Sequence, residues 1–225
     1  TLYQINDRKS SFSEPQDSTL IRYNSIGSNK WQYVGQWIEY TIDVTESGFY
    51  TIIPRSKQEE FMGSFVSRMI LIDGELPFVE AQNLRFNYST SWRTDVLNNG
   101  VTDFKFYLEK GLHTIRFQVV LGDMSDILGR VSDSLSNLNE YYRKILMITG
   151  PDADEYRDYG FEKLIPDVLR GLVNEAAALE AQSEELTRLT GEKGEHSTTL
   201  DRVALICRNM GEHPEKIASQ MSSLK

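Results

Sequence analysis

The sequence predicts an α+β protein in two segregated parts, an antiparallel β-sandwich of the jelly-roll type followed by an antiparallel α-helical bundle. Residues 1–121 hold 19 of the 24 aromatic side chains and all three tryptophans, with 14 acidic and 12 basic residues. Residues 122–225 hold five aromatics, with 19 acidic and 12 basic residues. Apolar side chains alternate in the first part and recur at helical spacing in the second. We therefore predict two domains, 1–121 and 122–225.

Short alternating segments bounded by turn residues predict the strands of the sandwich. They lie at residues 37–44, 49–53, 67–72, 104–108 and 113–120. In the first of them Trp37, Glu39, Thr41 and Asp43 alternate with Ile38, Tyr40, Ile42 and Val44. Turns at Gly48 and Gly111 predict hairpins between the strands on either side of them. Asp73 and Gly74 both tolerate positive φ, which predicts a tight turn.

Apolar residues at intervals of three and four predict the helices of the second part. The first helix carries Met124, Ile127, Val131, Leu135, Leu138, Tyr142 and Ile145. Gly150 and Pro151 end it, and a second helix is predicted over 166–189, with a proline in its first turn. Ser197 is expected to cap a third helix, and Pro214 to begin a short fourth. Short connections predict that the helices pack on each other as an antiparallel bundle.

Charge and cysteine content narrow the classes of partner. The net charge of −9 argues against non-specific binding of nucleic acid, so no nucleic-acid partner is expected. A single cysteine, Cys207, excludes an intrachain disulfide and a thiolate metal site, and its helix face predicts burial.

No stretch approaches the roughly 20 apolar residues of a membrane span. The chain begins at Thr1 without methionine, which predicts a processed chain or an excised fragment.

Catalytic motifs are missing from the sequence, and we expect a protein that is not an enzyme. The three histidines, His113, His196 and His213, lie far apart and none begins an HExxH motif. His113 opens a strand and is predicted to be structural. No GxSxG elbow, phosphate loop or GxGxxG motif occurs. A glycosidase fragment is the alternative; it needs two carboxylates across a cleft, and nothing selects Glu39 and Asp95 for that role.

Four acidic residues cluster after the first predicted helix. They are Asp152, Asp154, Glu155 and Asp158. Their spacing lacks the twelve-residue calcium-loop pattern and its glycine. We interpret the cluster as a solvated acidic helix start, stabilised by the helix dipole, and predict no side-chain metal site there.

Aromatic side chains with polar neighbours are the remaining candidates for a binding site. The CH faces of a sugar ring stack on Trp and Tyr, and its hydroxyls hydrogen-bond to amide, carboxylate and guanidinium groups. The carbohydrate-binding residues that we predict are Trp31, Tyr33, Trp92, Asn29, Gln32 and Arg93. Trp37 falls inside an alternating strand and is assigned to packing. The alternative for Trp31 and Trp92 is that they anchor loops over the end of the sandwich.

The first part resembles the jelly-roll carbohydrate-binding modules that accompany xylanases and related glycosidases. The resemblance rests on GQWIEYTIDVTESGFYTI, on the later LIDG and on EKGLHTIRF. In that family an aromatic pair in the loops at one end of the sandwich encloses a sugar, which implies Trp31 or Tyr33 opposite Trp92. Calcium stabilises many such modules through backbone carbonyls, so a structural calcium ion is one expectation and no other cofactor is expected.

The whole chain is similar to a region of large extracellular solute-binding proteins, which are lipoproteins of sugar-type ABC transporters in Gram-positive bacteria. The phrases that carry the similarity are NSIGSNKWQYVGQWIEY, SRMILIDGELPFVEAQNLRFNYSTSW, YLEKGLHTIRFQVVLGDM and LNEYYRKILMITGPDADEYRDY. The similarity implies a cell-surface lipoprotein, with a membrane tether outside this chain and the remainder of the parent protein as a partner.

Together these observations predict a non-catalytic accessory region of such a protein, which binds oligosaccharides or polysaccharides by aromatic stacking. The alternative is a purely structural spacer or docking module without a ligand of its own. The exposure of the aromatic rings discriminates the two, because a stacking site needs open ring faces and a spacer buries them.

Overall fold

The computed structural model describes Ile26 and residues 31–221 of the chain. The chain divides into two compact units, Thr1–Gly122 and Asp123–Lys225. Antiparallel sheets occupy the first unit and helices the second, which confirms the predicted fold class. Among the described helices, none combines the length and the apolar character needed to cross a membrane.

The described part of the first unit forms eight strands in three antiparallel sheets. The strands are β1 (Trp37–Val44), β2 (Gly48–Tyr50), β3 (Arg55–Gln58), β4 (Phe65–Ile72), β5 (Leu84–Asn87), β6 (Ser89–Thr94), β7 (Phe106–Leu108) and β8 (Gly111–Val120). The largest sheet has the order β1-β8-β4-β5, while β2 pairs with β7 and β3 pairs with β6. Consecutive strands are therefore often in different sheets, as in a sandwich.

The hairpins predicted at Gly48 and Gly111 are wrong. β1 pairs with β8, and β2 pairs with β7, so the chain passes from one sheet to another at each of these turns. Alternation of side chains identifies a strand but does not identify its partner, which explains the error. The tight turn is confirmed: Asp73 and Gly74 have φ values of 53° and 85°, and Ile72 and Glu75 exchange both backbone hydrogen bonds.

The core of the sandwich lies between the sheets. Its buried members are Ile70, Ala81, Leu84, Leu97, Phe104, Phe106, Ile115 and Phe117. Phe117 of β8 lies in register with Ile38 of β1 and with Ile70 of β4. The Phe78 ring centroid lies 5.2 Å from that of Phe106 on β7, which extends the cluster to the second sheet. β8 and β4 are the two inner strands of the large sheet.

The second unit is built around one central helix. Its helices are α1 (Ser125–Thr149), α2 (Phe161–Leu164), α3 (Pro166–Thr190), α4 (Glu195–Glu212) and α5 (Ile217–Gln220). α3 packs against both α1 and α4, and a short 3-10 turn, Pro214–Lys216, leads into α5. The apolar cluster includes side chains that are fully buried, such as Leu172, Ala204 and Ile217.

Two details of the bundle differ from the prediction. α4 begins at Glu195, so Ser197 does not cap it; the side chain is buried, and the Thr187 hydroxyl of α3 donates to its Oγ over 3.2 Å. On α1, Leu135 is 53% exposed and Ser134 is buried in its place. The Gln182 amide of α3 donates to Ser134 Oγ over 3.2 Å, which satisfies that buried hydroxyl.

Gly211 allows α4 to approach α3 closely. A Cβ atom at Gly211 would lie 2.8 Å from the backbone oxygen of Leu169 and 2.6 Å from Cγ2 of Val173. Backbone atoms cannot move aside as a flexible side chain can, so a methyl group forces the helices apart. A Cβ atom at Gly129, on α1, would have open space around it.

We predict that Gly211→Ala lowers the free energy of unfolding by about 1 to 3 kcal/mol, because the clash outweighs the better helix propensity of alanine. Gly129→Ala is the matched control and should be neutral or stabilising by up to about 1 kcal/mol. Urea unfolding followed by circular dichroism at a helical wavelength measures both. Equal effects of the two substitutions would contradict the close approach.

Candidate functional site

A rigid turn presents Tyr33 at the start of β1. The Gln36 side-chain oxygen accepts the backbone N–H groups of Gln32 and Tyr33, each over 2.9 Å. Gly35 N–H donates to the Val119 oxygen over 3.0 Å, and Val119 N–H donates to the Gln36 oxygen over 2.8 Å. These bonds join the turn to the end of β8, while the Tyr33 side chain stays 65% exposed. The ring is thus held open to solvent on an ordered backbone.

Trp37 follows this turn and is 51% exposed on the outer face of the large sheet. The Arg116 guanidinium carbon lies 4.2 Å from the centroid of its ring, a cation–π distance. Glu39 Oε2 accepts from Nε and Nη2 of Arg116, both over 2.8 Å, and Glu39 faces Arg116 directly in the β1–β8 register. The ion pair therefore orients the guanidinium against the Trp37 ring.

The packing role that the sequence suggested for Trp37 differs from this position. Ile38, Tyr40 and Ile42 pack against the core, so the intervening residues of β1 face outwards. A signal was present in the sequence, because Trp37 shares its face with the polar residues Glu39, Thr41 and Asp43. The pair of Arg116 with Glu39 depends on strand register, which the sequence does not reveal.

Trp31 packs against the core of the sandwich. Its side chain is partly buried, and the Arg68 guanidinium carbon lies 4.2 Å from its ring centroid. Burial lowers the pKa of Arg68 to about 10, because desolvation disfavours the charged guanidinium. These contacts favour the anchoring alternative for Trp31 over the presentation of an open ring.

The other predicted site residues that the structure describes lie on one strand, β6, and in the turn that carries Tyr33. Trp92 is partly buried on β6, which pairs with β3 and not with β1. Arg93 is exposed on the same strand, and its Nε lies 2.8 Å from Oδ2 of Asp95. Gln32 is exposed in the turn that carries Tyr33, and Asn29 lies outside the described residues. Gln32 and Tyr33 thus share the turn that precedes Trp37 in the chain, whereas Trp92 and Arg93 lie on a strand of another sheet.

The acidic cluster after α1 lies in a loop and not at the predicted helix start, because the next helix, α2, begins only at Phe161. Asp154 accepts the backbone N–H of Tyr156 over 3.0 Å, and Asp158 accepts that of Gly160 over 2.9 Å. Such bonds between a side chain and the backbone two residues on stabilise turns. Within the described ranges, no group of three or more His, Cys, Asp or Glu side chains could hold a metal ion. Calcium bound by backbone carbonyls stays a prediction.

The carboxylates of the glycosidase alternative are both engaged in ion pairs. Glu39 pairs with Arg116, and Asp95 pairs with Arg93. Cys207, the single thiol, is fully buried, as its helix face predicted, and burial raises its pKa to about 11. A buried neutral thiol is a poor nucleophile, so this residue acts as a small apolar side chain.

Residues 126–225 match the family model of the bacterial solute-binding protein, 4-helix bundle domain. The match covers the helical unit and does not include the sandwich. The helical unit is therefore similar to a domain of bacterial solute-binding proteins. No curated protein matches the chain.

The solved structures that are similar to parts of the chain include the following two. One is a Paenibacillus sp. cycloisomaltooligosaccharide glucanotransferase complexed with cycloisomaltoheptaose, with 22% identity and a TM-score of 0.33 over 40% of this chain and 11% of that chain. The other is a family 35 carbohydrate binding module from Clostridium thermocellum, with 19% identity and a TM-score of 0.34 over 46% of this chain and 75% of that chain. The chain thus spans about a tenth of the glucanotransferase, and TM-scores of this size do not establish a common fold.

The contrast between Trp31 and Tyr33 predicts different effects on stability. We expect Trp31→Ala to lower the free energy of unfolding by about 2 to 4 kcal/mol, because it removes core packing and the contact with Arg68. Tyr33→Ala should change it by no more than about 0.5 kcal/mol, because the ring is exposed. Urea unfolding followed by the fluorescence of the remaining tryptophans, all in residues 1–122, measures both. Similar losses in the two variants would refute the anchoring role.

The burial of Cys207 predicts that its thiol is unreactive in the native state. With a pKa of about 11 and no access from solvent, Cys207 should react with a disulfide reagent at pH 8 at least about 100 times more slowly than in guanidinium chloride. Absorbance of the released chromophore follows the reaction. Rapid labelling of the native protein would contradict the described packing of α4.

Proposed function

We propose that the chain is a non-catalytic accessory region of a solute-binding protein, and that its sandwich binds a sugar ring by stacking on Tyr33 and Trp37. The observation that carries the proposal is the presence of two large rings, both more than half exposed, one in the turn before β1 and one at its first residue. Of the rings first predicted, Tyr33 is retained. Trp37 replaces Trp31, whose ring packs inwards.

The scaffold under these rings supports the proposal. A stacking site needs rings whose orientation is set before the ligand arrives, because ordering them on binding costs free energy. Tyr33 projects from a turn bonded to β8 through Gly35 and Gln36, and Trp37 lies on β1 with Arg116 against its ring. Neither ring requires rearrangement of the backbone to become accessible.

Polar groups around the rings can bind sugar hydroxyls. The Arg116 guanidinium and the Glu39 carboxylate, both partly exposed, lie beside Trp37, and Gln118 is the residue opposite Trp37 in the β1–β8 register. Gln32 is exposed next to Tyr33. Apolar ring faces with a few adjacent donors and acceptors are typical of carbohydrate sites. Exposed sites of this kind bind with dissociation constants on the order of millimolar to micromolar.

The biological setting is part of the proposal. The family match of residues 126–225 supports a solute-binding parent protein, whose remainder would be the partner of this chain. We infer an extracellular, cell-surface lipoprotein of a Gram-positive bacterium, with an ABC transporter of the sugar type. An oligosaccharide or polysaccharide would be the ligand, and capture of glycans near the transporter would be the role.

A structural spacer is the second candidate function. The inward packing of Trp31 and the partial burial of Trp92 favour it, since these two rings then stabilise the sandwich and contact no ligand. In that case Tyr33 and Trp37 would be exposed without a partner, and binding experiments would show no saturable response.

We predict saturable binding of at least one neutral oligosaccharide, measured by isothermal titration calorimetry of the full chain against a panel of plant and host oligosaccharides. Tyr33→Ala and Trp37→Ala should each weaken binding about tenfold or more, because each removes one stacking surface. Phe49→Ala is the matched control; this ring is 72% exposed on β2, in another sheet, and its loss should leave the affinity unchanged. The absence of binding across the panel would favour the spacer.

A further inference from the structure

His113 connects two turns that are distant in the chain. Its Nδ1 lies 2.6 Å from Oδ2 of Asp73, in the turn after β4, and its Nε2 lies 2.8 Å from the backbone oxygen of Glu109, in the turn before β8. The ring thus lies between the two turns at one end of the large sheet. Both contacts are short enough for good hydrogen bonds.

Both neighbours of the ring can only accept hydrogen bonds. A carboxylate and a backbone carbonyl have no hydrogen to donate, so both ring nitrogens must be protonated for both contacts to form. Neutral imidazole carries one N–H, and its bare nitrogen would then face an oxygen lone pair. The geometry therefore selects the imidazolium form of His113.

The electrostatic surroundings agree with this geometry. The hydrogen bond with Asp73 and the one with the Glu109 carbonyl raise the pKa of His113 above 6.5. The hydrogen bond from the Thr114 backbone N–H lowers the pKa of Asp73 below 3.8, and the hydrogen bond with His113 is the second-largest cause. Asp73 and Glu109 are the titratable groups whose charges act on the ring, and β1 places the uncharged Ile42 opposite it in register.

The two turns depend on His113 to different degrees. Asp73 has a second anchor, because its Oδ1 accepts the backbone N–H of Thr114 over 2.8 Å whatever the state of the ring. In the described structure, one further hydrogen bond to a side chain holds the turn before β8. The Lys110 backbone N–H donates it to Ser47 Oγ over 2.8 Å. Gly111 follows with φ of 138°, a conformation that glycine adopts readily and that makes it a natural hinge.

We propose that His113 is a pH-sensitive latch. When protonated it holds the Glu109 turn and the Asp73 turn together. When it loses a proton it keeps the charge-assisted bond to Asp73 and releases the Glu109 carbonyl. The released turn then rotates about Gly111, and the hydrogen bond from Lys110 to Ser47 weakens. Ser47 lies in the turn between β1 and β2, so the change reaches that turn.

The pH range of the latch follows from the directions of the two shifts. His113 has a raised pKa, so its contribution to stability is complete below 6.5 and is lost as pH rises through its folded pKa. Asp73 has a lowered pKa, so its contribution is complete above 3.8 and is lost as pH falls through its folded pKa. The latch is closed between these two folded pKa values and opens on the alkaline side.

The test uses the full chain and combines two nuclear magnetic resonance measurements between pH 5.5 and 9. The ring nitrogen shifts of His113 give its pKa and its protonation state, and hydrogen exchange gives the protection of the Lys110 and Thr114 amides. We expect a pKa above 6.5 with both nitrogens protonated at pH 6. After correction for intrinsic exchange rates, the protection of Lys110 should fall about tenfold with the same midpoint, while that of Thr114 persists.

Two variants complete the test. Asp73→Asn keeps an acceptor and removes the charge, so it should lower the pKa of His113 and move the Lys110 midpoint with it. His213→Gln, a substitution of an exposed histidine in the helical unit, should change neither quantity. A His113 pKa at or below 6.5 overturns the latch. So does Lys110 protection that is independent of pH, or that is lost together with Thr114.

Discussion

The pairing of β8 with both β1 and β4 is the constraint on which the sandwich depends. Phe117, at the centre of β8, contributes to the core, and its register with Ile38 and Ile70 aligns the large sheet. The remaining features lie along the same strand. Val119 bonds the turn that carries Tyr33, Arg116 contacts Trp37 on the outer face, and the latch histidine lies near the first residue of the strand. A loss of register in β8 would displace all of them together, because a shift of one residue exchanges the two faces.

The sequence predicted the fold class and most element positions, because both depend on local periodicity. Alternation located β1, β4 and β8, and helical spacing located the three long helices. Which strands pair with each other was not predictable in the same way. The hairpins predicted at Gly48 and Gly111 join segments that are adjacent in the chain, whereas the observed pairs join distant segments through burial of a shared core. The burial of Ser134 on α1 in place of Leu135 has the same cause, since packing against α3 determines which face of the helix is buried.

The candidate site was predictable only in part, and the reason is geometric. A surplus of rings near the first strand suggested a stacking surface, and Tyr33 is exposed as that idea requires. Whether a ring points inwards depends on the tertiary contacts that surround it. Trp31 meets Arg68 and the core, whereas Trp37 lies with polar neighbours on the outer face. The pair of Glu39 and Arg116 arises from strand register between residues far apart in the chain, so no local pattern could indicate it.

The crossing of the chain between sheets has a kinetic consequence. β1 finds its partner in β8, at the far end of the sandwich sequence, so the large sheet closes only after most of that sequence is available. In the helical unit, α3 and α4 are consecutive and meet across a short connection. Proteins rich in local contacts fold faster than those dominated by distant pairings. The helical unit is synthesised second, yet its topology favours faster folding, so we expect the apolar strand faces of the sandwich to stay exposed for longer.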